Sequence, residues 1–116
     1  MDIRSSSSVK AEDVGDERVS WLVDRADVQQ KTTGSFVDFV VEVEVRANGS
    51  TAPHEHPAHE WFYLLSGRGV ISVGAEQREV EPGDCVYIPP GLVHMLTSVA
   101  DLPVRMLAFG VAPDGS

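Results

Sequence analysis

The chain has 116 residues, with nine Lys and Arg against 18 Asp and Glu and a formal net charge of −9. A chain of this length forms one domain able to bury ~65% of its unfolded surface, so it can fold without a metal or disulfide staple. The acidic balance and the lack of a basic run argue against a nucleic-acid or anionic-membrane surface, leaving small molecules or proteins as partners.

Residues 1–18 are polar and aperiodic, with serines at Ser5–Ser8, and are expected to be a flexible leader or to pack as an arm. The opening MDIRSSSSVKAED has no apolar h-region. No later stretch reaches the ~20 apolar residues of a membrane span, so a cytoplasmic protein is expected. Residues 19–112 read as one all-β domain, followed by a short tail at 113–116. Ser20–Asp24 is a first short strand. FVDFVVEVEVR alternates cleanly, with Val37, Phe39, Val41, Val43 and Val45 on one face and Asp38, Glu42, Glu44 and Arg46 on the other. ANGS at 47–50 supplies an Asn-Gly turn. Further strands are expected at Trp61–Leu65, Val70–Val73, Arg78–Val80, Cys85–Ile88, Val93–Ser98 and Val104–Phe109, separated by SGRG, by EPGD at 81–84 and by Pro89-Pro90-Gly91. Short strands punctuated by Gly and Pro, with no convincing amphipathic helix, indicate an antiparallel sandwich or barrel. The single cysteine, Cys85, cannot form an internal disulfide and reads as a small strand residue in a reducing compartment.

The stretch PHEHPAHE, residues 53–60, holds three of the four histidines. A helical zinc motif would place a second imidazole four residues after the first. Ala58 and Tyr63 stand at those positions, and Pro57 interrupts any helix. On a strand, His54 and His56 point one way and Glu55 the other, toward solvent; Glu60 lies beyond a bend at Pro57 that parity alone cannot cross. Closing the sheet turns alternate residues inward, so a histidine on another strand can face this pair, and His94 lies outside the stretch.

Here the sequence resembles the cupin family. Its first motif, Gly-x5-His-x-His-x3–4-Glu-x6-Gly, is matched by Gly49, His54, His56, Glu60 and Gly67. Its second, Gly-x5-Pro-x-Gly-x2-His-x3-Asn, is matched by Gly83, Pro89, Gly91 and His94. Only four residues separate Gly49 from His54, and Ser98 stands where the family often has Asn. The resemblance implies a double-stranded β-helix, or jelly-roll barrel, holding one divalent transition ion on His54, His56, Glu60 and His94. Three imidazoles and a carboxylate suit manganese, iron, nickel, copper or zinc rather than an all-oxygen magnesium or calcium site. With a divalent ion the set carries a net charge of +1, which favours a bidentate anionic or enolate ligand.

The function so implied is a metal-dependent enzyme acting on a small oxygenated, metal-chelating substrate, of oxygenase, isomerase, cyclase or lyase type. The alternative is a non-catalytic small-molecule-binding or sensing module, marked by a site with no second titratable group nearby. Supporting acid or base candidates are scarce in the inward-facing set. His59 is expected to point away or serve the rim. Trp61, Phe62 and Tyr63 are expected in the barrel wall or a homodimer interface. Whichever of Arg105 and Met106 faces inward is a candidate substrate contact.

Overall fold

A computed structural model describes residues 1–31 and 36–112, apart from the side chains of 29–31; the expected tail at 113–116 lies outside the described residues. In chain order the elements are β1 (Ala11–Val14), β2 (Glu17–Val23), α1 (Arg25–Lys31), β3 (Val37–Val45), β4 (His59–Ser66), β5 (Gly69–Val73), β6 (Glu76–Val80), β7 (Cys85–Ile88), β8 (His94–Ser98) and β9 (Val104–Val111). They form a six-stranded sheet in the order β1-β2-β3-β9-β4-β7 and a three-stranded sheet in the order β6-β5-β8. Every strand pair is antiparallel. This is the all-β architecture that the strand and turn spacing predicts, in the jelly-roll form that the resemblance implies and in a single domain.

The alternation of β3 decides which side of the larger sheet faces in. Val41, Val43 and Val45 are buried and pack with Phe62, Leu64, Ile71, Ile88, Leu96, Val104, Met106 and Ala108 into one apolar core. Such burial, at roughly 25 cal/mol per Å² of apolar surface, is what drives the two sheets together. Glu42 stays on the outer face, where it accepts from Arg105 of β9 at 2.9 Å and 3.1 Å. Asn48 takes a left-handed φ of 60° in the Asn-Gly turn after β3, a conformation asparagine tolerates better than most residues.

The stretch read as a leader packs as an arm. β1 and β2 form a hairpin that extends the larger sheet by pairing β2 with β3, so ordered strand begins at Ala11 rather than near residue 19. Its polar residues conceal this because β1 is an edge strand whose side chains are largely exposed. Arg4 ties down what precedes it, donating to the Leu22 carbonyl at 2.9 Å and to the Asp27 carboxylate of α1 at 2.7 Å.

Arg4 and the Asp24 amide hold the Asp27 carboxyl well below its ordinary value, down to about 2. A carboxylate with a lowered folded pKa contributes stability that is in place above its unfolded value near ~3.9 and disappears as pH falls toward the folded value. The groups are exposed and the global effect should be small. Locally, amide exchange at the end of β2 should accelerate between about pH 4 and pH 2, and Arg4→Ala should remove that pH dependence. Exchange equally pH-dependent in the variant would show that the clamp does not hold this strand end.

Candidate metal centre

After the Asn-Gly turn the chain runs beside β8 as an irregular extra strand. Ser50 bridges Thr97, His54 bridges His94, and backbone hydrogen bonds link His54 and His94 in both directions at 3.0 Å and 3.3 Å. Thr51 fixes the register from both ends: its amide donates to the Leu96 carbonyl at 2.9 Å, and its hydroxyl accepts the Leu96 amide at 3.0 Å. Beyond Pro57 the chain enters β4, whose alternation buries Glu60, Phe62 and Leu64 and turns His59, Trp61, Tyr63 and Leu65 outward. The Gly91 amide donates to the His56 carbonyl at 3.0 Å, joining the loop before His94 to the histidine stretch.

These constraints bring His54, His56, Glu60 and His94 together, with one donor atom from each within 4.8 Å of the others. The site is graded in depth: His54 is exposed, His56 half-buried, and Glu60 and His94 buried. Glu60 Oε1 sits at the centre, 2.9 Å from His56 Nε2 and 3.1 Å from His94 Nε2.

The tautomers test whether the set fits a cation. His94 donates Nδ1–H to the Leu92 carbonyl at 3.0 Å, and His54 donates Nδ1–H to the Ala52 carbonyl at 2.8 Å. Each neutral ring therefore presents an Nε2 lone pair. At His94 that lone pair is buried, has no hydrogen-bond partner among the described residues, and lies close to a carboxylate oxygen. Two electron-rich atoms in that arrangement repel unless a proton or a metal ion lies between them. Burial pushes the His94 pKa down, but the Glu60 carboxylate and the Leu92 carbonyl outweigh it and raise it. The four residues fit a borderline divalent ion, and the backbone carbonyls that fix the two imidazoles are the usual outer supports of such ligands.

The surroundings separate the remaining aromatics by face. Phe62 packs its edge against His94, with centroids 5.9 Å apart, from inside the barrel. His59 is on the opposite face of β4 from Glu60, stacked on Tyr87 and hydrogen-bonded to its hydroxyl at 2.6 Å. It does not join the cluster, and Glu55 is exposed. β9 settles the choice left open between its neighbours: Met106 faces inward but is sealed in the core, and Arg105 faces outward to Glu42. Cys85 is exposed at the start of β7.

Sequence reasoning missed two inner-face residues of β2. Glu17 pairs across the sheet with fully buried Val45 and so shares its inward side. Burial raises the Glu17 carboxyl pKa; His54 and His94 lower it and Glu60 raises it further, so it lies within electrostatic reach of the cluster. Trp21 stands edge-on to Phe39 at 6.3 Å, and Phe39 is edge-on to His56 at 6.1 Å. The alternation Glu17, Val19, Trp21 was the available signal, obscured because Glu17 fell inside a stretch read as leader. A cleft of about 630 Å³ opens elsewhere, between β6 and β7, and none of the four clustered residues lines it.

A family model described as a cupin domain matches residues 41–110, more than half of the chain. The chain belongs to the cupin family. Among solved structures, this cupin is similar to a Thermotoga maritima protein described as a predicted oxalate decarboxylase, with a TM-score of 0.81 and 18% identity over 97% of this chain and 99% of the other. At that identity the likeness shows the fold alone. It is also similar to the polyketide cyclase RemF of Streptomyces resistomycificus, with a TM-score of 0.76 and 28% identity, covering 96% of this cupin and 79% of RemF. Among curated relatives, an uncharacterised protein of Methanocaldococcus jannaschii is 32% identical over 64% of this cupin and 60% of its own length. The tetracenomycin polyketide synthase protein TcmJ of Streptomyces glaucescens is 24% identical over 77% of this cupin and 60% of TcmJ. The matched region thus spans about three fifths of these two relatives.

Proposed function

We propose that this cupin is a metal-dependent enzyme acting on a small oxygenated, metal-chelating substrate, with one divalent transition ion held by His54, His56, Glu60 and His94. The observation that carries the reading is the buried His94 lone pair set against Glu60 beside two further imidazoles. An ion there would supply Lewis acidity, or redox chemistry if it is iron, manganese or copper. The chain's own contribution is placement. Leu92 and Ala52 hold two imidazoles in the coordinating tautomer, Glu60 offsets part of the charge, and exposed His54 leaves the site open to a ligand. Glu17 is the additional titratable group within reach, which favours a reacting site over a purely binding one.

Among reaction types, cyclisation of an enolisable polycarbonyl chain has the most support, because RemF is described as a polyketide cyclase and TcmJ as a polyketide synthase protein. The test is incubation of a synthetic poly-β-ketone with protein purified without added metal, after elemental analysis. Conversion that chelator treatment abolishes and metal restores is expected. Equal conversion by metal-free and metal-loaded protein would reject the reading. Iron with oxygen uptake would move it to oxygenation.

We further propose a homodimer through the patch around Trp61 on the outer face of the larger sheet, where β9, β4 and β7 adjoin. There Trp61 stacks on Phe109 at 5.6 Å and lies tilted against Tyr87 at 5.0 Å, beside half-exposed Tyr63 and Leu65. In a chain of net charge −9, a patch of uncharged aromatic and aliphatic side chains is the part that can meet a copy of itself without repulsion. Light scattering should give twice the 12.6 kDa chain mass at micromolar concentration. Trp61→Glu should give the monomer; a monomeric parent protein would remove the proposal. A cytoplasmic location is the companion proposal, supported by the unpaired, exposed Cys85 thiol. Among the described residues no helix is long and apolar enough to cross a membrane.

A further inference from the structure

We propose that Trp21 is the hydrogen-bond donor that orients a planar oxygenated ligand at the metal centre, its indole N–H meeting an oxygen of the ligand. The inference deepens the metal-dependent reading above and rests on it.

Four observations converge on this side chain. Trp21 pairs with buried Val41, packs against the core and is therefore on the inner face of the larger sheet. Its Nε1 is buried without a hydrogen-bond partner among the described residues. Buried indole N–H groups nearly always find an acceptor, and leaving one unmade is costly, so one without a partner among the described residues points to an acceptor supplied by a ligand. Phe39 stands between Trp21 and His56, edge-on to both, so the donor and a candidate metal ligand flank one aromatic ring.

The fourth observation is how Trp21 is held. The β2–β3 register shifts between Trp21 and Val23, an irregularity of the kind that re-aims a side chain beside a site. That irregularity is fixed from three directions. The Trp21 amide donates to the Lys10 carbonyl at 2.9 Å, Arg4 donates to the Leu22 carbonyl at 2.9 Å, and the same guanidinium is paired with Asp27 at 2.7 Å. A side chain aimed by a pinned bulge, with its polar atom left unpaired, is built to meet something.

The ligand class follows from the groups around it. A centre of three imidazoles and one carboxylate favours an anionic bidentate oxygen ligand, the aromatic rings of Phe39 and Trp21 beside it favour a conjugated, planar one, and an N–H donor needs an acceptor oxygen. An enolate or phenolate conjugated to a carbonyl meets all three requirements.

Tropolone is such a chelator and serves as the probe, with zinc-loaded protein labelled with 15N-tryptophan. The two indole signals, from Trp21 and Trp61, are told apart with Trp61→Phe. Tropolone should move the Trp21 indole proton downfield and leave that of Trp61 in place. Trp21→Phe should bind tropolone about tenfold more weakly, the scale of one hydrogen bond to a charged oxygen, while its zinc content and its affinity for azide stay unchanged. An unmoved Trp21 signal in the parent protein, or unchanged tropolone affinity in a zinc-replete, folded variant, would overturn the inference and leave the metal reading intact. Parent protein that takes up no zinc would overturn both. The parent spectrum decides the matter even if Trp21→Phe does not fold.

Discussion

Replacing His94 with alanine should remove most of the bound metal, and with it any turnover. The substitution deletes the deepest of the four donors and leaves Glu60 buried beside one fewer imidazole. The remaining residues can hold an ion only weakly, and loss of a first ligand costs more than the 10- to 100-fold that removing an outer partner costs. His56→Ala should behave alike. His59→Ala should keep normal metal content, because His59 stacks on Tyr87 on the opposite face of the strand. Elemental analysis of the three purified variants is the measurement, and full occupancy in His94→Ala would reject the site. Protons should compete for the same lone pairs, so metal affinity should fall below about pH 6. Metal-free protein should show the converse trend. A histidine whose folded pKa is raised contributes stability that is fully present below its unfolded value of ~6.5 and lost as pH rises through the folded value. Its melting temperature should therefore decline from pH 6 to pH 8, a decline that metal should cancel.

Gly110→Ala should be the most damaging single methyl added near the site. A Cβ at Gly110 would strike Phe39 Cε1 and lie 2.6 Å from its Cζ. Phe39 has little room to yield, standing between Trp21 and His56. Overpacking of this kind costs roughly 1–3 kcal/mol. For a domain of this size that lowers the melting temperature by on the order of 5–10 °C. The displaced ring should also push on His56 and weaken metal binding, an effect a purely structural clash elsewhere would not have. Phe39→Leu in the same background should restore much of both properties, since two residues in contact couple. A fully stable, metal-replete Gly110→Ala protein would show that this approach is not as close as described.

Much of this molecule was legible because two simple periodicities dominate it. The alternation in FVDFVVEVEVR reports the buried side of β3 directly, and the same parity carries His54 and His56 to one side. Glu60 was legible through its family motif, since the bend at Pro57 defeats parity; the alternation of β4 then buries it. What escaped lies where local pattern and tertiary context diverge. β1 has an almost wholly exposed set of side chains and exists because β2 offers it an edge, information that no residue of β1 contains. α1 has seven residues, too few to display a helical period, and its Asp27 is fixed by Arg4 from far along the chain. Glu17 and Trp21 come to the inner face through the pairing of β2 with β3, and that register is decided by the whole sheet.

The graded depth of the four clustered residues implies an order of events. An arriving ion would meet exposed His54 first, then half-buried His56, and would engage buried Glu60 and His94 only after shedding its water on the way in. Departure would reverse the sequence, so detachment from His54 would be the common first step of ion loss and of admitting a second ligand. Because the His54 and His94 backbones are hydrogen-bonded to each other, that outermost imidazole can swing on its side-chain torsions while the strand carrying it stays in place. Exchange of a labelled ion should then be governed by one hinged ring, fast relative to opening of the sheet, and it should quicken when the Ala52 carbonyl loses its hold on that ring.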